Sequence, residues 1–185
     1  MMQHAKIWLI IASSWLFIGN VNALDGISIS NGIGVANLKI WRVSVEQTWQ
    51  KKWTTKGPWY VTGYWDLSFY KMKRKNGEEI AMNNNIAAVA LAPVFRFYRI
   101  APTLSNKNFY VEFAIGIAQM NKREIAKRQL GINFQFEDRL GFGLRFGNKQ
   151  QYDISYRVVH FSNAYLGKKN HGINLQMLTF NYWFG

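Results

Sequence analysis

The sequence of 185 residues contains no cysteine, only three prolines, and only ten acidic residues against 23 lysines and arginines. Without cysteine the chain has neither a disulfide framework nor a thiolate metal site. Beyond residue 23 there is no run of 18 consecutive apolar residues, which excludes a transmembrane helix in that part of the chain. The length is enough for one domain and hardly enough for two.

The first 23 residues have the pattern of a secretory signal peptide. Lys6 supplies the positive charge, the apolar run IWLIIASSWLFIG follows, and VNA ends at Ala23 with the residue spacing of a cleavage site. We therefore expect residues 1–23 to be removed and residues 24–185 to form one exported domain. An uncleaved membrane anchor is the alternative.

The mature chain is strongly basic. Removal of residues 1–23 takes away Lys6 and no acid, which leaves 22 basic and 10 acidic residues and a net charge of +12. An exported protein of this charge suits an anionic partner such as a phosphorylated lipid or a lipopolysaccharide, and export argues against nucleic acid. A solvated basic surface without any partner would have the same composition.

Apolar and polar residues alternate with a period of two along most of the mature chain. In residues 59–71, for example, Trp59, Trp65 and Leu67 share one face, while Tyr64 and Asp66 share the other. Such alternation predicts β-strands. We predict eight strands, at 38–47, 59–71, 85–99, 108–119, 130–136, 140–146, 151–162 and 178–184.

The two faces of these strands distinguish a membrane barrel from a soluble β-sandwich, which would also alternate. One face is large and aromatic, the other is polar and rich in glycine and alanine, and Trp and Tyr lie near strand ends. This favours an all-β fold, an eight-stranded antiparallel transmembrane β-barrel with up-and-down topology. Parity places on the lipid face Phe109, Phe113, Phe142 and Phe180. It places in the interior, where buried charges must pair, Arg42, Glu46, Asp66, Arg96, Glu112, Glu137 and Arg145.

The order of the predicted strands also predicts which connections face outward. With both chain ends in the periplasm, the outer loops would lie near 48–58, 99–108, 137–139 and 163–172. The inner turns would lie near 71–85, 119–129 and 147–150.

A histidine and a serine occupy the apolar parity of the predicted strand at 151–162. His160 and Ser162 leave the same face about 6–7 Å apart at Cα, so a ring nitrogen can reach the hydroxyl. A serine becomes an effective nucleophile when a base takes its proton. A hairpin centred on Gly167 would place Asn174 across from His160, where its amide oxygen can accept the Nδ1 hydrogen. Polar residues at the headgroup level of the membrane are the alternative explanation.

The same residues resemble the active-site hairpin of a known family. HFSNA at 160–164, followed by a short loop and NHGI at 170–173, is similar to the lipid A 3-O-deacylases, the PagL family. The resemblance continues in order through most of the mature chain, in TGYWD at 62–66, APVF at 92–95, VEFAIGIA at 111–118 and FEDRLGFGLRF at 136–146.

This resemblance implies an outer-membrane barrel with its catalytic residues on the outer wall. The activity would be that of a serine esterase that hydrolyses the acyl ester at the 3-position of lipid A. By the same resemblance His160 is the catalytic histidine, Ser162 is the nucleophile, and Asn163 helps to form the oxyanion hole. Two positions depart from the family, because Asn174 stands where a glutamate is typical and Tyr165 where a glycine usually follows.

The resemblance further implies lipopolysaccharide as partner and the outer membrane of a Gram-negative bacterium as location. No metal is implied, because cysteine is absent and the carboxylates are too scattered to suggest a site, and no cofactor is expected. A homodimer is a further option. Lys168, Lys169 and His171 are expected to meet phosphates or core sugars of the lipid, or else to be solvated loop residues. Two other functions stay open: a phospholipase that uses the same residues, and a catalytically weak or inactive structural barrel.

Overall fold

The computed structural model of the protein describes residues 24–74, 84–99 and 107–184. The predicted signal peptide at 1–23 lies outside the described residues, as do parts of the predicted connections at 71–85 and 99–108. Within the described ranges, no helix is long and apolar enough to cross a membrane.

Eight long antiparallel strands form the fold. We number them in chain order as β1 (Gly26–Gly34), β2 (Leu38–Thr48), β3 (Trp59–Arg74), β4 (Asn85–Arg99), β5 (Lys107–Met120), β6 (Phe134–Phe146), β7 (Tyr152–Ser162) and β8 (Ile173–Trp183). Short extended pieces occur at Trp53–Thr54, Glu124–Ile125 and Arg128–Gln129, and a 3-10 turn at Val35–Asn37 joins β1 to β2.

The sheet closes on itself. Each strand pairs with the strands before and after it in the chain, and β1 also pairs with β8, with Gly26 opposite Trp183 and Gly34 opposite Leu175. A closed sheet leaves no unpaired edge, which is the condition for strands to cross lipid. The predicted fold class, an eight-stranded antiparallel up-and-down barrel, is confirmed.

Two of the eight predicted strands were wrong, although their number was right. β1 was not predicted, because the inward positions of GISISNGIG are only glycine and serine, which are also typical of loops. The predicted strands at 130–136 and 140–146 are one strand, β6, and the predicted loop at 137–139 lies in its middle. Glu137 and Arg139 look like turn residues in the sequence, yet both side chains are buried inside the barrel.

The extra first strand reverses the predicted sidedness of most connections. The turn at 35–37 and the loop at 163–172 lie at one end of the barrel, which we call the hairpin end, and β3 finishes and β4 starts there too. The opposite, terminal end holds Gly26 and Trp183, together with the connections at 49–58 and 147–151. The loop at 163–172 therefore shares its end with residues 121–133, although a turn near 119–129 was predicted to lie on the other side.

The outward and inward faces follow the predicted parity. The four phenylalanines predicted to face lipid are all exposed, with Phe109 at 71% and Phe142 at 62%. The side chains exposed on the outer face of the strands are mainly aliphatic and aromatic, as a lipid-facing wall requires.

Ion pairs fill the interior. One group joins Arg42 to Asp66 at 2.5 Å and Arg139 to Asp66 at 3.0 Å, and Arg139 also pairs with Glu137 at 2.5 Å. The second group pairs Arg96 with Glu112 and Asp153 at 3.0 and 2.6 Å, and Arg157 with Glu112 at 2.5 Å.

The predicted pairing of interior charges is confirmed for Arg42, Asp66, Arg96, Glu112 and Glu137. The prediction was wrong for two other residues. Glu46 accepts from the Ser44 hydroxyl at 2.6 Å and from the Asn181 amide, and half-buried Arg145 donates to the Gln150 carbonyl at 2.5 Å. Both therefore bond to neutral partners, and among the described residues the second carboxylate oxygen of Glu46 has no hydrogen-bond partner.

Candidate active site

The hairpin of β7 and β8 brings His160 and Asn174 together on the outer face. They are directly opposite in the register, as a hairpin centred on Gly167 predicts. His160 Nδ1 lies 2.5 Å from Asn174 Oδ1. Because a carbonyl oxygen accepts, Nδ1 carries the hydrogen and Nε2 is left with a free lone pair. The imidazole is thus oriented as a base toward the side away from Asn174.

Ser162 lies two residues beyond His160, on the same face and half-buried. Its strand neighbour on β6 is Phe136. In the described part of the chain the Ser162 hydroxyl makes no hydrogen bond, and the two side chains stand side by side at the spacing of alternate strand residues, about 6–7 Å at Cα. Catalytic hydrogen bonds often form only when substrate is present, so the pair has the arrangement of a base next to a nucleophile.

Gly172 packs directly on the His160 ring. Its φ is +58°, and a Cβ at this position would lie 2.9 Å from His160 Cε1 and 3.5 Å from Nε2. Any side chain here would press on the imidazole, and the left-handed conformation also favours glycine. Gly172 is therefore the residue that lets the chain pass over the ring.

A short hairpin at 124–129 holds this part of the loop in place. Arg128 donates from Nε to the Gly172 carbonyl at 2.7 Å and from a terminal nitrogen to the His171 carbonyl. The Gln129 amide donates to His171 Nδ1 at 3.1 Å, and the His171 amide donates to the Gln129 carbonyl at 3.1 Å. His171, predicted as a lipid contact, is thus tied into the loop, while Lys168 and Lys169 are exposed.

Asn163 occupies a buried position on the opposite face from Ser162. Its amide nitrogen donates to the carbonyls of Leu130 and Lys169 at 2.6 and 2.7 Å. Its backbone N–H donates to Asn170 Oδ1 at 2.9 Å. All these donors are engaged within the loop, so Asn163 anchors the loop in this structure. Strand parity puts residues 162 and 163 on opposite faces, so it predicts that the Asn163 side chain points away from Ser162.

The backbone after Asn163 makes a tight left-handed turn. Ala164 and Tyr165 have φ of 49° and 60°, and the Leu166 amide closes the turn on the Asn163 carbonyl at 2.9 Å. Tyr165 is 82% exposed. In the described part of the chain, the N–H groups of Ala164 and Tyr165 make no hydrogen bond, so both donors are free.

Asp138 is the residue that the sequence analysis missed. It lies on β6 directly across from His160, on the same outward face, and is half-buried. Among the described residues it has no ion pair and no hydrogen bond. Its signal in the sequence is parity, since Asp138 interrupts the outward stripe of Phe134, Phe136 and Leu140. His160 is therefore flanked by an amide on one side and a carboxylate on the other.

No metal centre accompanies these residues in the described ranges, where no group of three or more His, Cys, Asp and Glu side chains could hold a metal ion.

Comparison with known proteins matches residues 39–183 to the family model described as "Lipid A 3-O-deacylase (PagL)". The protein "Lipid A deacylase PagL" of Pseudomonas aeruginosa is 28% identical over 169 residues, which cover 91% of each chain. A protein of the same name from Bordetella bronchiseptica is 32% identical over 92 residues, covering 50% of this chain and 47% of that protein.

A solved structure, "Crystal structure of the outer membrane enzyme PagL", superimposes with a TM-score of 0.73 and 25% identity, covering 85% of this chain and 98% of that chain.

Proposed function

The chain belongs to the lipid A 3-O-deacylase family, and from that premise we propose that it is an outer-membrane serine esterase that removes the acyl chain from the 3-position of lipid A. The observation that carries the proposal is the short contact between His160 and Asn174 on the lipid-facing wall, next to Ser162. The proposal includes cleavage after Ala23 and an orientation with the hairpin end outward, where lipid A resides.

In the first step His160 Nε2 takes the Ser162 proton while Ser162 Oγ attacks the ester carbonyl carbon. The carbonyl oxygen becomes an oxyanion, which the N–H groups of Ala164 and Tyr165 stabilise. The C–O bond to the sugar then breaks, and the sugar oxygen receives the proton from His160. An acyl-serine remains.

In the second step a water molecule attacks the acyl-serine. His160 takes its proton, the oxyanion forms again at the same place, and Ser162 leaves with the proton as the fatty acid is released. Asn163 supports both steps by anchoring the loop from which the two N–H groups project. The water comes from the interface, because the loop at 163–172 lies at an end of the barrel.

Asn174 orients the imidazole, and Asp138 provides the negative charge that an amide lacks. Residues directly opposite on neighbouring strands have Cβ atoms about 5 Å apart, close enough for a carboxylate to favour the imidazolium that forms during the reaction. Asp138 is then a positioning residue that acts through His160.

Mass spectrometry of lipid A from cells with and without the protein tests the activity. We expect loss of one hydroxyacyl chain, and expect Ser162→Ala and His160→Ala each to abolish it. The same purified protein is assayed on glycerophospholipids. Hydrolysis of those with intact lipid A would overturn the proposal in favour of a phospholipase, and no hydrolysis of either would indicate a structural barrel.

A further inference from the structure

Three lysines and a tryptophan form a patch on the barrel wall away from the β7–β8 hairpin. Lys39 on β2 is directly opposite Lys73 on β3, and Trp41 is directly opposite Lys71. All four side chains are exposed on the outward face, Trp41 at 56%. We call Lys39, Trp41, Lys71 and Lys73 the lysine patch; it lies at the hairpin end.

The charge arrangement in the lysine patch is unfavourable without an anion. Like charges directly opposite on neighbouring strands repel each other and destabilise the sheet. In the part of the chain that the structure describes, none of the three lysines is in an ion pair. Three described carboxylates lie elsewhere on the outside: Asp25 at the terminal end, Glu124 in the short hairpin, and Asp138 on β6. The other described carboxylates lie in the lumen, namely Glu46, Asp66, Glu112, Glu137 and Asp153.

A fourth ammonium group lies beside the patch. Asn85 on β4 is directly opposite Lys73, and Lys122 donates from Nζ to Asn85 Oδ1 at 3.4 Å. Asn85 therefore links Lys122 to the row that contains Lys39 and Lys73. The positive charge extends across strands β2 to β4 and is concentrated at one height on the barrel wall.

An apolar groove begins directly below the patch. Val43 and Phe69 follow Trp41 and Lys71 on the outward face, and both line a groove of about 630 Å³ on the outside of β8 and β1 to β4. Its lining is almost wholly apolar. A cationic patch above an apolar groove matches the two ends of a lipid with an anionic headgroup.

The lysine patch is separate from the candidate active site. The register leads from Val158 on β7 through Gln176 and Ile33 to Lys39, three strand spacings or about 14 Å along the sheet. Ser162 lies four residues beyond Val158, which puts it about 20 Å from Lys39 over the barrel surface. A lipid whose chains occupy the groove has its esters away from Ser162.

We propose that the lysine patch and the groove below it bind a second phosphorylated glycolipid of the surrounding leaflet, which is held and not hydrolysed. Lys39 and Lys73 bracket a phosphate group, Lys71 adds a third ammonium, Trp41 packs on the sugar, and the acyl chains lie in the groove. The choice of lipid A as this glycolipid rests on the outer-membrane location proposed above.

The test uses the full-length protein with Ser162→Ala, so that lipid is bound and not cleaved, and native mass spectrometry to count bound diphosphoryl lipid A. Replacement of Lys39, Lys71 and Lys73 by Gln should weaken binding by about a hundredfold at low salt. The matched control replaces Lys51, Lys52 and Lys56 at the terminal end by Gln and should bind like the parent. Dephosphorylated lipid A should bind the parent and the patch variant equally weakly.

Retained binding in the patch variant, or an equal loss in the control, would overturn the proposal. So would an equal dependence on these lysines for phosphatidylglycerol, since the site would then accept any anionic lipid. A separate measurement, with Ser162 intact, tests whether the patch is part of the substrate site. The patch variant should hydrolyse lipid A with a KM within about twofold of the wild-type value. A KM that rises in parallel with the lost binding would mean that the patch belongs to the substrate site.

Discussion

This chain has Asn174 at the position where the resemblance to its family leads us to expect a glutamate. The amide holds the His160 ring through a contact of 2.5 Å, so orientation is preserved. It brings no charge to stabilise the imidazolium, and in serine proteases replacement of the triad aspartate by asparagine lowers kcat by about 10⁴. The half-buried carboxylate of Asp138 on the other side of His160 offers that charge.

A double-mutant cycle separates orientation from charge. Asn174→Ala should lower kcat with little change in Tm, because the residue lies at an exposed strand end, and Asn174→Glu should keep or raise kcat. Asp138→Asn should lower kcat in the wild-type chain and much less in the Asn174→Glu background, since the new carboxylate then supplies the charge. Equal effects of Asp138→Asn in both backgrounds would show that Asp138 plays no part in the protonation of His160.

Gly172→Ala should lower kcat through the His160 ring. The added Cβ would lie 2.9 Å from His160 Cε1, and alanine at a φ of +58° adds strain of about 1–2 kcal/mol. The matched control is Gly57→Ala, where the nearest atom to the added Cβ is Thr55 Oγ1 at 3.8 Å. Activity of the folded fraction and Tm are measured for both variants, and a Gly172→Ala enzyme with normal kcat would show that the ring tolerates displacement.

At the level of single residues, the sequence predicts which residues lie opposite each other in a hairpin. His160 faces Asn174 because the residue numbers of a hairpin centred on Gly167 have a constant sum. The role assigned to Asn163 came from resemblance alone and did not use parity, which points its side chain inward. Tyr165 keeps the left-handed turn that a glycine would adopt, and no sequence pattern reports that a tyrosine is held at a φ of 60°.

Strands were predicted well where their inward faces contrast with their outward faces, and poorly where they do not. In β1 the inward residues are so small that the segment reads as a loop, yet small residues are what a narrow barrel accommodates beside large arginines. In β6 the charged residues Glu137 and Arg139 are typical of a turn. The sequence does not show that Arg139 has an ion-pair partner in Asp66, on another strand of the barrel. Omission of β1 then reversed the predicted sidedness of four connections, those at 48–58, 71–85, 99–108 and 119–129.

The contacts of the hairpin at 124–129 were not predicted from the sequence. Ile125 is buried among Leu38, Met72 and Ile86 at the mouth of the barrel, while Arg128 reaches outward to the carbonyls of the loop above His160. It thus connects the packed interior to the candidate active site.

Arg128→Gln should lower kcat by about tenfold with little change in Tm, since charge-assisted bonds to two carbonyls are lost outside the barrel. Arg128→Lys should recover part of the activity, because a single ammonium can serve only one of the two acceptors well. Faster hydrogen exchange in residues 163–172 of Arg128→Gln is the structural readout. Unchanged exchange together with lost activity would indicate that Arg128 contacts substrate instead.

At the scale of the whole molecule, the ion pairs lie in the lumen and the candidate active site lies on the outer wall. Glu112→Gln should lower Tm clearly, because Arg96 and Arg157 would lose their shared carboxylate in a dry interior, a change worth about 3–5 kcal/mol. Specific activity of the folded fraction should stay near that of the wild type. The control is Glu124→Gln, the same substitution outside the barrel, which should leave Tm unchanged; a dead but stable Glu112→Gln protein would bring the lumen into the mechanism.

The filled lumen also determines how the protein behaves toward an electric field. Four arginines and the four carboxylates that pair with them, all at most 2% exposed, occupy the cross-section of the barrel, and the hairpin at 124–129 covers one mouth. An ion would have to break several of these pairs to enter, so the barrel is an electrical insulator despite its outward likeness to a pore. Planar bilayers containing the protein should show no single-channel conductance, and the membrane that houses it would keep its permeability barrier at any expression level.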